Sequence, residues 1–364
     1  MLIGSIFGGG FLNDDIFEVT NPRNRDDCLE PFRVMREYAQ KCGVELHTAD
    51  LVANLGLKPD FGLHIESDIN NVAESFPEYL IRFETPLTVP LNADLKYLNR
   101  FRAVFTWDRD LLEGLDINFA YHAISKNKMV EVRTPNPVPN SVKSGIYPKA
   151  YSERNLFCCL IASNRHANIP DERELYSQRT EAIRWFEKNA PKDFQLFGNG
   201  WSVPEKRFGY LGRARYKFEK FISFITCQQA FSSYQGPIKT KYLALSESKF
   251  CICFENARDI RGYLTEKIFD CLFAGCIPIY WGEPDIDQWI PKECFIDFRA
   301  FKSYDRLFLY LKNITPSEFS RIQKLGQEFI NSEEFYPHSS QAFAQNIIDR
   351  IVSDANSGLF SRGA

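Results

Sequence analysis

Short apolar segments alternate with amphipathic and polar stretches along the first part of the chain. Residues 32–41 form a helical pattern that begins after Pro31 and ends before Gly43, the usual places for these two residues at helix ends. The apolar runs that predict β-strands are residues 1–7, 44–49, 62–65, 79–83 and 102–107. Strands separated by helical or loop segments in this way indicate an α/β layer with a parallel sheet.

The same alternation begins again after a proline-rich stretch. Residues 134–148 contain four prolines and a glycine, which suit neither an ordinary helix nor a central strand. We therefore expect a linker between two domains, residues 1–140 and 150–335, and a C-terminal helix and tail over residues 336–364. The predicted elements after the linker are strands at 155–162, 194–198, 250–254 and 276–281, and helices at 173–188, 265–274, 316–330 and 340–352.

The composition is that of an ordinary globular chain. Its 364 residues carry a formal net charge of −3, which argues against a nucleic-acid binder that works through bulk positive charge. No run of about 18 apolar residues predicts a transmembrane helix, and the N-terminus lacks the basic region of a signal peptide. The ten cysteines form no CxxC motif and the five histidines are scattered. We therefore expect reduced thiols, no metal site and a cytoplasmic protein.

The densest polar cluster, residues 254–267, lies between an apolar strand and a helix with an apolar face. Thr265, Glu266 and Lys267 stand at the N-terminus of that helix, where free backbone N–H groups and the helix dipole suit a phosphate. Lys267 adds a mobile positive charge, and Glu266 can accept hydrogen bonds from sugar hydroxyls. The alternative is an ordinary helix cap with a solvated charge pair.

This region resembles the signature of the α-1,3/4-fucosyltransferases, glycosyltransferase family 10. The resemblance rests on the sequences KFCICFEN at 249–256, YLTEK at 263–267, AGCIPIYWGEP at 274–284 and IPKECFIDFRAF at 290–301. The stretches ASN at 162–164, YSQR at 176–179 and LFGNGW at 196–201 are also similar to the family. The first 110 residues match weakly, mainly through RFETP at 82–86.

The resemblance implies a fold and an activity. The fold is α/β of GT-B type, with two Rossmann-like domains facing across a cleft, an acceptor-side N-terminal domain and a nucleotide-sugar-binding C-terminal domain. The activity is inverting transfer of L-fucose from GDP-fucose to a glycan hydroxyl, with no required cofactor or metal. Alternatives are the same scaffold using another nucleotide sugar, or an inactive carbohydrate-binding protein.

The resemblance also assigns roles to individual residues. Glu84, at the end of an apolar strand, is the expected general base that accepts the proton of the acceptor hydroxyl; the alternative is a surface glutamate at a strand end. Arg179 and Lys267 are expected to hold the two phosphates, and Arg173 competes with Arg179 for this role. The other residues expected to bind the donor are Asn164, Glu255, Asn256, Tyr263 and Glu266.

The aromatic content, 32 Phe, 16 Tyr and 5 Trp, suggests two populations of rings. Most are expected to fill helix–sheet cores. Phe83, Trp107, Tyr263 and Trp281 stand at or near predicted strand ends, and we expect these four to contact the sugar or the base.

Two Asp-x-Asp patterns, at residues 108–110 and 285–287, invite a different interpretation, in which a bound metal would hold the diphosphate. Capping and turn roles for aspartate are commoner, and we favour them at both places. The last twelve residues contain one basic residue, so we expect at most weak peripheral membrane contact through this tail.

Overall fold

The computed structural model describes the chain at residues 1–66, 75–115, 126–167, 169–205, 209–226, 229–358 and 360. The fold divides into two compact units. Unit 1 comprises Met1–Val138, Ile260–Leu264 and Phe335–Ala364, and unit 2 comprises Pro139–Asp259 and Thr265–Glu334. The chain thus leaves unit 2 at Ile260, contributes five residues to unit 1, and returns at Thr265.

Unit 1 is built on a six-stranded parallel sheet of order β2-β1-β3-β4-β5-β6. Its strands are β1 (Leu2–Gly8), β2 (Val44–Thr48), β3 (Phe61–Ile65), β4 (Glu78–Ile81), β5 (Ala103–Thr106) and β6 (Met129–Glu131). Its helices are α1 (Glu30–Lys41), α2 (Ala49–Asn54), α3 (Leu95–Leu98), α4 (Arg109–Glu113) and the C-terminal α12 (Ser340–Asn356).

The C-terminal helix completes the core of unit 1. Phe343, Ile347 and Ile351 of α12 are buried in the same cluster as Met35 of α1. The ring of Phe343 meets that of Phe32 edge to face, with centroids 6.3 Å apart. The predicted C-terminal segment 336–364 is therefore an integral part of unit 1, because helix α12 covers apolar side chains of α1 and of the sheet.

Unit 2 is built on a five-stranded parallel sheet of order β11-β10-β9-β7-β8. Its strands are β7 (Leu156–Ile161), β8 (Phe194–Phe197), β9 (Ser248–Phe254), β10 (Ile277–Trp281) and β11 (Ile296–Asp297). Its helices are α5 (Asn140–Lys143), α6 (Tyr176–Asn189), α7 (Gly209–Thr226), α8 (Lys241–Glu247), α9 (Glu266–Phe273), α10 (Tyr304–Asn313) and α11 (Pro316–Ile330).

Aromatic rings fill much of the core of unit 2. Phe186 of α6 stacks on Phe194 of β8 with centroids 4.7 Å apart, and Phe250 of β9 meets Phe319 of α11 edge to face. Each buried ring removes a large apolar area from water and adds contact energy through its preferred ring geometry. The high phenylalanine content is therefore largely a packing feature.

The strands predicted within the described residues are present, with ends that shift by a few residues. The helix predicted at 173–188 spans Tyr176–Asn189, and the predicted linker contains the short helix α5. Several elements were not predicted: the edge strands β6 and β11 and the helices α2, α3, α4, α5, α7, α8 and α10. No helix of the described ranges combines the length and apolar character needed to cross a bilayer.

Nine of the ten cysteines lie in the described ranges. No disulfide joins any two of these nine, and most of them are buried, whereas Cys28 is exposed. Cys227 lies outside the described residues.

Candidate functional site

Glu255 is a buried carboxylate at the carboxyl end of β9. Its Oε1 accepts a hydrogen bond from the backbone N–H of Thr265 at 2.9 Å, and its Oε2 accepts one from the Thr265 hydroxyl at 2.6 Å. Lys267 Nζ donates to the same Oε2 at 3.1 Å and to Thr265 Oγ1 at 2.8 Å. The N–H of Thr265, which caps α9, is thus already satisfied by a protein carboxylate. The N–H of Thr265 is therefore not available to a phosphate, whereas the use of the following N–H groups of this helix end by a phosphate stays a prediction.

Lys267 is held in place, in contrast to the mobile charge that the sequence suggested. Burial opposes its charged form, but Glu255 and Glu266 raise its pKa above the usual lysine value. Only a fifth of its side chain is exposed. Its ammonium group is therefore a fixed positive charge at the head of α9, and its third N–H takes no part in the bonds to Glu255 and Thr265.

Glu266 carries the exposed negative charge of this site. Its carboxylate lies 3.4 Å from Lys241 Nζ and 3.9 Å from Lys267 Nζ. Burial tends to raise its pKa, but the two ammonium groups outweigh burial and lower it below the usual glutamate value. Lys241 also pairs with Asp270 at 2.7 Å. Sequence reasoning missed Lys241 because it lies 25 residues before Glu266 and belongs to no local motif.

Arg179 joins α6 to the carboxyl end of β9. Its Nε and Nη2 donate to the carbonyl oxygen of Phe254 at 3.2 and 2.8 Å, and Nη2 also donates to Oδ1 of Asn256 at 2.9 Å. The side chain is buried, and Nη1 makes none of these bonds. The structure therefore brings Arg179 and Asn256 together next to Glu255, as one polar group at the end of one strand.

Arg173 and Asn164, also expected near the donor, bind to other parts of unit 2 than the end of β9. Arg173 pairs with Asp171, with Nη2 2.8 Å from Oδ2, and this pair lowers the pKa of Asp171. Asn164 donates its amide to the carbonyl oxygens of Gly200 and Val203 at 3.0 and 3.1 Å, so it holds the loop that follows β8. Neither residue shares a hydrogen bond with Glu255 or Lys267 in the described part of the chain.

Tyr263 was predicted inside the C-terminal domain, but it packs in unit 1. Its buried ring lies 4.9 Å from the ring of Trp107, also buried, and the Trp107 indole donates to the carbonyl oxygen of Phe83 at 2.9 Å. Arg261 in the same segment binds Asp110 and Glu113 at 2.8–3.0 Å. Because Tyr263 and Trp107 bury their rings against each other, neither presents an open aromatic face to a sugar. The other two rings expected to contact a ligand, Phe83 and Trp281, also pack on neighbouring aromatic rings.

Gly262 lets the segment 260–264 pack closely against the backbone of Trp107 within unit 1. Its φ is 86°, and a Cβ there would overlap the carbonyl oxygen of Trp107. Gly43 offers a matched control, since its φ is 76° with nothing within 4 Å of the added atom.

We expect Gly43→Ala to lower the free energy of unfolding by about 1–2 kcal/mol, the cost of left-handed backbone with a side chain. Gly262→Ala should cost about 1–3 kcal/mol more, because the overlap adds overpacking. Urea denaturation of the two variants measures the difference. Equal losses would mean that the segment relaxes around the added methyl group.

Glu84 lies just beyond β4 in unit 1, on a loop held by other side chains. Glu66 Oε2 accepts from the consecutive backbone N–H groups of Phe83 and Glu84 at 3.1 and 2.7 Å. Asn92 donates to Glu66 Oε1 at 2.8 Å and to the carbonyl oxygen of Glu84 at 2.7 Å. With the Trp107 indole on Phe83, three side chains fix both peptide groups around Glu84. Glu66 and Asn92 were not predicted, since neither is near residue 84 in the sequence.

The two carboxylates of residues 108–110 have structural partners. Asp108 caps α4 through the N–H of Leu111 at 3.2 Å and lies 3.6 Å from Arg82, while Asp110 binds Arg261. Within the described residues, no group of three or more His, Cys, Asp or Glu side chains is arranged to hold a metal ion.

Comparison with known proteins bears on the second half of the chain. Residues 201–322 match the family model for glycosyltransferase family 10 (fucosyltransferase), C-terminal part. An α-(1,3)-fucosyltransferase of Helicobacter pylori is 35% identical over 135 residues, which are 34% of this chain and 28% of that protein. A GDP-fucose protein O-fucosyltransferase 3 of Danio rerio is 32% identical over 85 residues, which are 23% of this chain and 18% of that protein. The alignments thus span less than a third of each relative. The resemblance to the family is confirmed for residues 201–322.

Solved structures bear on the fold. An α-glucosyltransferase in complex with UDP-glucose and DNA containing an abasic site aligns with a TM-score of 0.58 at 13% identity, over 97% of this chain and 99% of that chain. This likeness, together with the two parallel sheets, confirms the predicted α/β fold of GT-B type with two Rossmann-like domains. The stretches 162–164 and 176–179 lie outside the segment that matches the family model.

Proposed function

We propose, from the membership of residues 201–322 in glycosyltransferase family 10, that this protein transfers L-fucose from GDP-fucose to a hydroxyl of a glycan acceptor. The observation that carries the proposal is the head of α9, inside the matched segment. There a buried Glu255 fixes Lys267, and Glu266 presents a carboxylate beside it. A fixed cation next to an accessible hydrogen-bond acceptor suits a sugar diphosphate. Localisation in the cytoplasm is part of the proposal.

The donor is assigned to the residues around the end of β9. Lys267 and Nη1 of Arg179 bind the diphosphate and stabilise the charge that GDP gains as it leaves. Glu266 accepts hydrogen bonds from hydroxyls of the donor. Asn256 completes the donor contacts, whereas Glu255 and Asn164 position the groups that touch it, through Lys267 and the loop after β8. Tyr263 is left out of the donor site because its ring is buried against Trp107.

The reaction is assigned as a single displacement with inversion. The acceptor oxygen forms a bond to the anomeric carbon of fucose on the face opposite the diphosphate. The bond from that carbon to the β-phosphate oxygen breaks, and GDP departs with the bonding electrons. Glu84 takes the proton of the acceptor hydroxyl as its oxygen attacks.

An assay of GDP release tests the proposal against its alternatives. We expect GDP release with GDP-fucose and a lactosamine-type acceptor, and the same rate in excess EDTA. NMR of the product should show an anomeric configuration of fucose opposite to that in the donor. Release only with another GDP- or UDP-sugar would support the same scaffold with a different donor. Carbohydrate binding without release from any donor would identify an inactive binding protein.

A further inference from the structure

Helix α7 (Gly209–Thr226) is the longest helix in the described part of the chain, and none of the motifs that predict function lies in it. None of its described side chains is buried. An amphipathic helix in a globular protein ordinarily covers its apolar stripe with the core of its own domain. Helix α7 instead leaves apolar residues in contact with solvent.

The exposed apolar residues of α7 share one face. Tyr210 is 84% exposed, Phe218 64% and Phe221 59%, and Ile222 and Ile225 are also exposed. With about 100° of rotation per residue, these five side chains fall within an arc of about 120°. No charged residue falls within that arc. Single exposed apolar residues are common on protein surfaces, but two phenylalanines, two isoleucines and a tyrosine on one helix face form a contiguous apolar surface.

Basic residues border this face. Arg213, Lys217 and Lys220 follow one edge of the apolar arc, and Arg215 lies on the other edge, where it pairs with Glu219 at 2.7 Å. The helix thus carries four basic side chains against one acidic one, in a chain whose formal net charge is −3. Its charge is opposite in sign to that of the molecule as a whole.

We propose that α7 docks on an anionic lipid surface, with its apolar face among the acyl chains and its basic edge among the headgroups. An apolar face with aromatic residues, bordered by lysine and arginine, is the pattern of helices that lie in the membrane interface. A second copy of the chain is a poorer occupant, since pairing two α7 faces about a twofold axis brings two sets of basic side chains together. The docking concerns a surface distinct from the C-terminal tail and does not depend on the proposed activity.

Vesicle co-sedimentation of the full chain tests the proposal. We expect binding to vesicles of phosphatidylcholine with 30% phosphatidylglycerol to exceed binding to pure phosphatidylcholine by at least about tenfold, and to fall as salt is raised. The variant Phe218→Ser/Phe221→Ser/Ile225→Ser should lose at least about tenfold in partitioning. The variant Arg213→Gln/Lys217→Gln/Lys220→Gln should lose a similar factor, because each basic residue contributes to attraction by the surface.

A matched control separates α7 from general stickiness. Leu243 of α8 and Leu309 of α10 have the same exposed fraction as Phe218, so Leu243→Ser/Leu309→Ser removes two well-exposed apolar side chains elsewhere in unit 2. This variant should bind anionic vesicles like the parent chain. Absence of binding to anionic vesicles, or equal binding by the parent and the apolar α7 variant, would overturn the proposal. So would a parent chain that is dimeric by light scattering and becomes monomeric only in the apolar α7 variant.

Discussion

Replacing Lys267 by methionine is expected to lower the turnover of the proposed fucose transfer by about 10²–10³, the usual cost of removing one fixed group that stabilises developing charge. The ammonium group is aligned before the donor arrives, since Glu255 and Thr265 hold it at 3.1 and 2.8 Å. Methionine keeps the length and apolar body of the side chain but provides no charge for departing GDP. Steady-state GDP release with the parent and the variant gives the ratio.

The same substitution also perturbs folding, and a second variant separates the two effects. Removing Lys267 leaves the Glu255 carboxylate buried without its cation, which should lower the free energy of unfolding by roughly 3 kcal/mol. Glu255→Gln/Lys267→Met removes that buried charge and should recover most of the stability without recovering turnover. If the double variant recovered turnover as well, Lys267 would act on folding alone. Arg173→Ala, which removes a cation that is paired with Asp171, should leave turnover within a factor of a few.

The sequence was most informative where the site is contiguous. Residues 263–267 follow a buried strand and open a helix, so the strand and helix patterns alone place Glu266 and Lys267 at the end of a parallel sheet. The packing of Phe269 and Phe273 into the core was equally visible, because their spacing of four residues marks one face of a helix.

The sequence was least informative where contacts join distant segments. Nothing in residues 260–264 indicates that they pack in unit 1, because the decisive contacts are with Trp107, Asp110 and Glu113, about 150 residues earlier. The anchoring of Lys267 by Glu255 depends on how the chain closes between Glu255 and Thr265, which are ten positions apart. Helix α7 was not predicted, although Phe218, Ile222 and Ile225 have the spacing of three and four residues that marks one face of a helix.

The loop that carries Glu84 is the clearest case of a supporting network that has no sequence signal. Glu66 adopts a left-handed backbone conformation with φ of 66°, which is uncommon for a residue with a side chain. Its carboxylate spans two consecutive N–H groups, and Asn92 connects that carboxylate to the carbonyl oxygen of Glu84. In the proposed role of general base, Glu84 would have to keep its position as the substrate approaches, and residues that fix its backbone would serve that purpose.

Replacing Glu84 by glutamine is expected to lower the turnover of the proposed fucose transfer by about 10²–10⁴, the contribution of a positioned general base. Glutamine is nearly the same size and keeps the backbone bonds to Glu66 and Asn92, so affinity for GDP and the free energy of unfolding should be unchanged. Turnover near that of the parent would show that Glu84 is a surface glutamate at a strand end. Calorimetric titration with GDP provides the control for binding.

Glu66→Ala extends this test to the network. It should lower turnover in the parent, because the N–H groups of Phe83 and Glu84 lose their acceptor, and it should cause little further loss in the Glu84→Gln background. A residue that only supports folding would lower turnover by the same factor in both backgrounds. Glu66→Gln retains one oxygen for the two N–H groups and should fall between the parent and Glu66→Ala. The difference between the effects of Glu66→Ala in the parent and in the Glu84→Gln background then measures how far the effect of Glu84 on turnover depends on the contacts of Glu66.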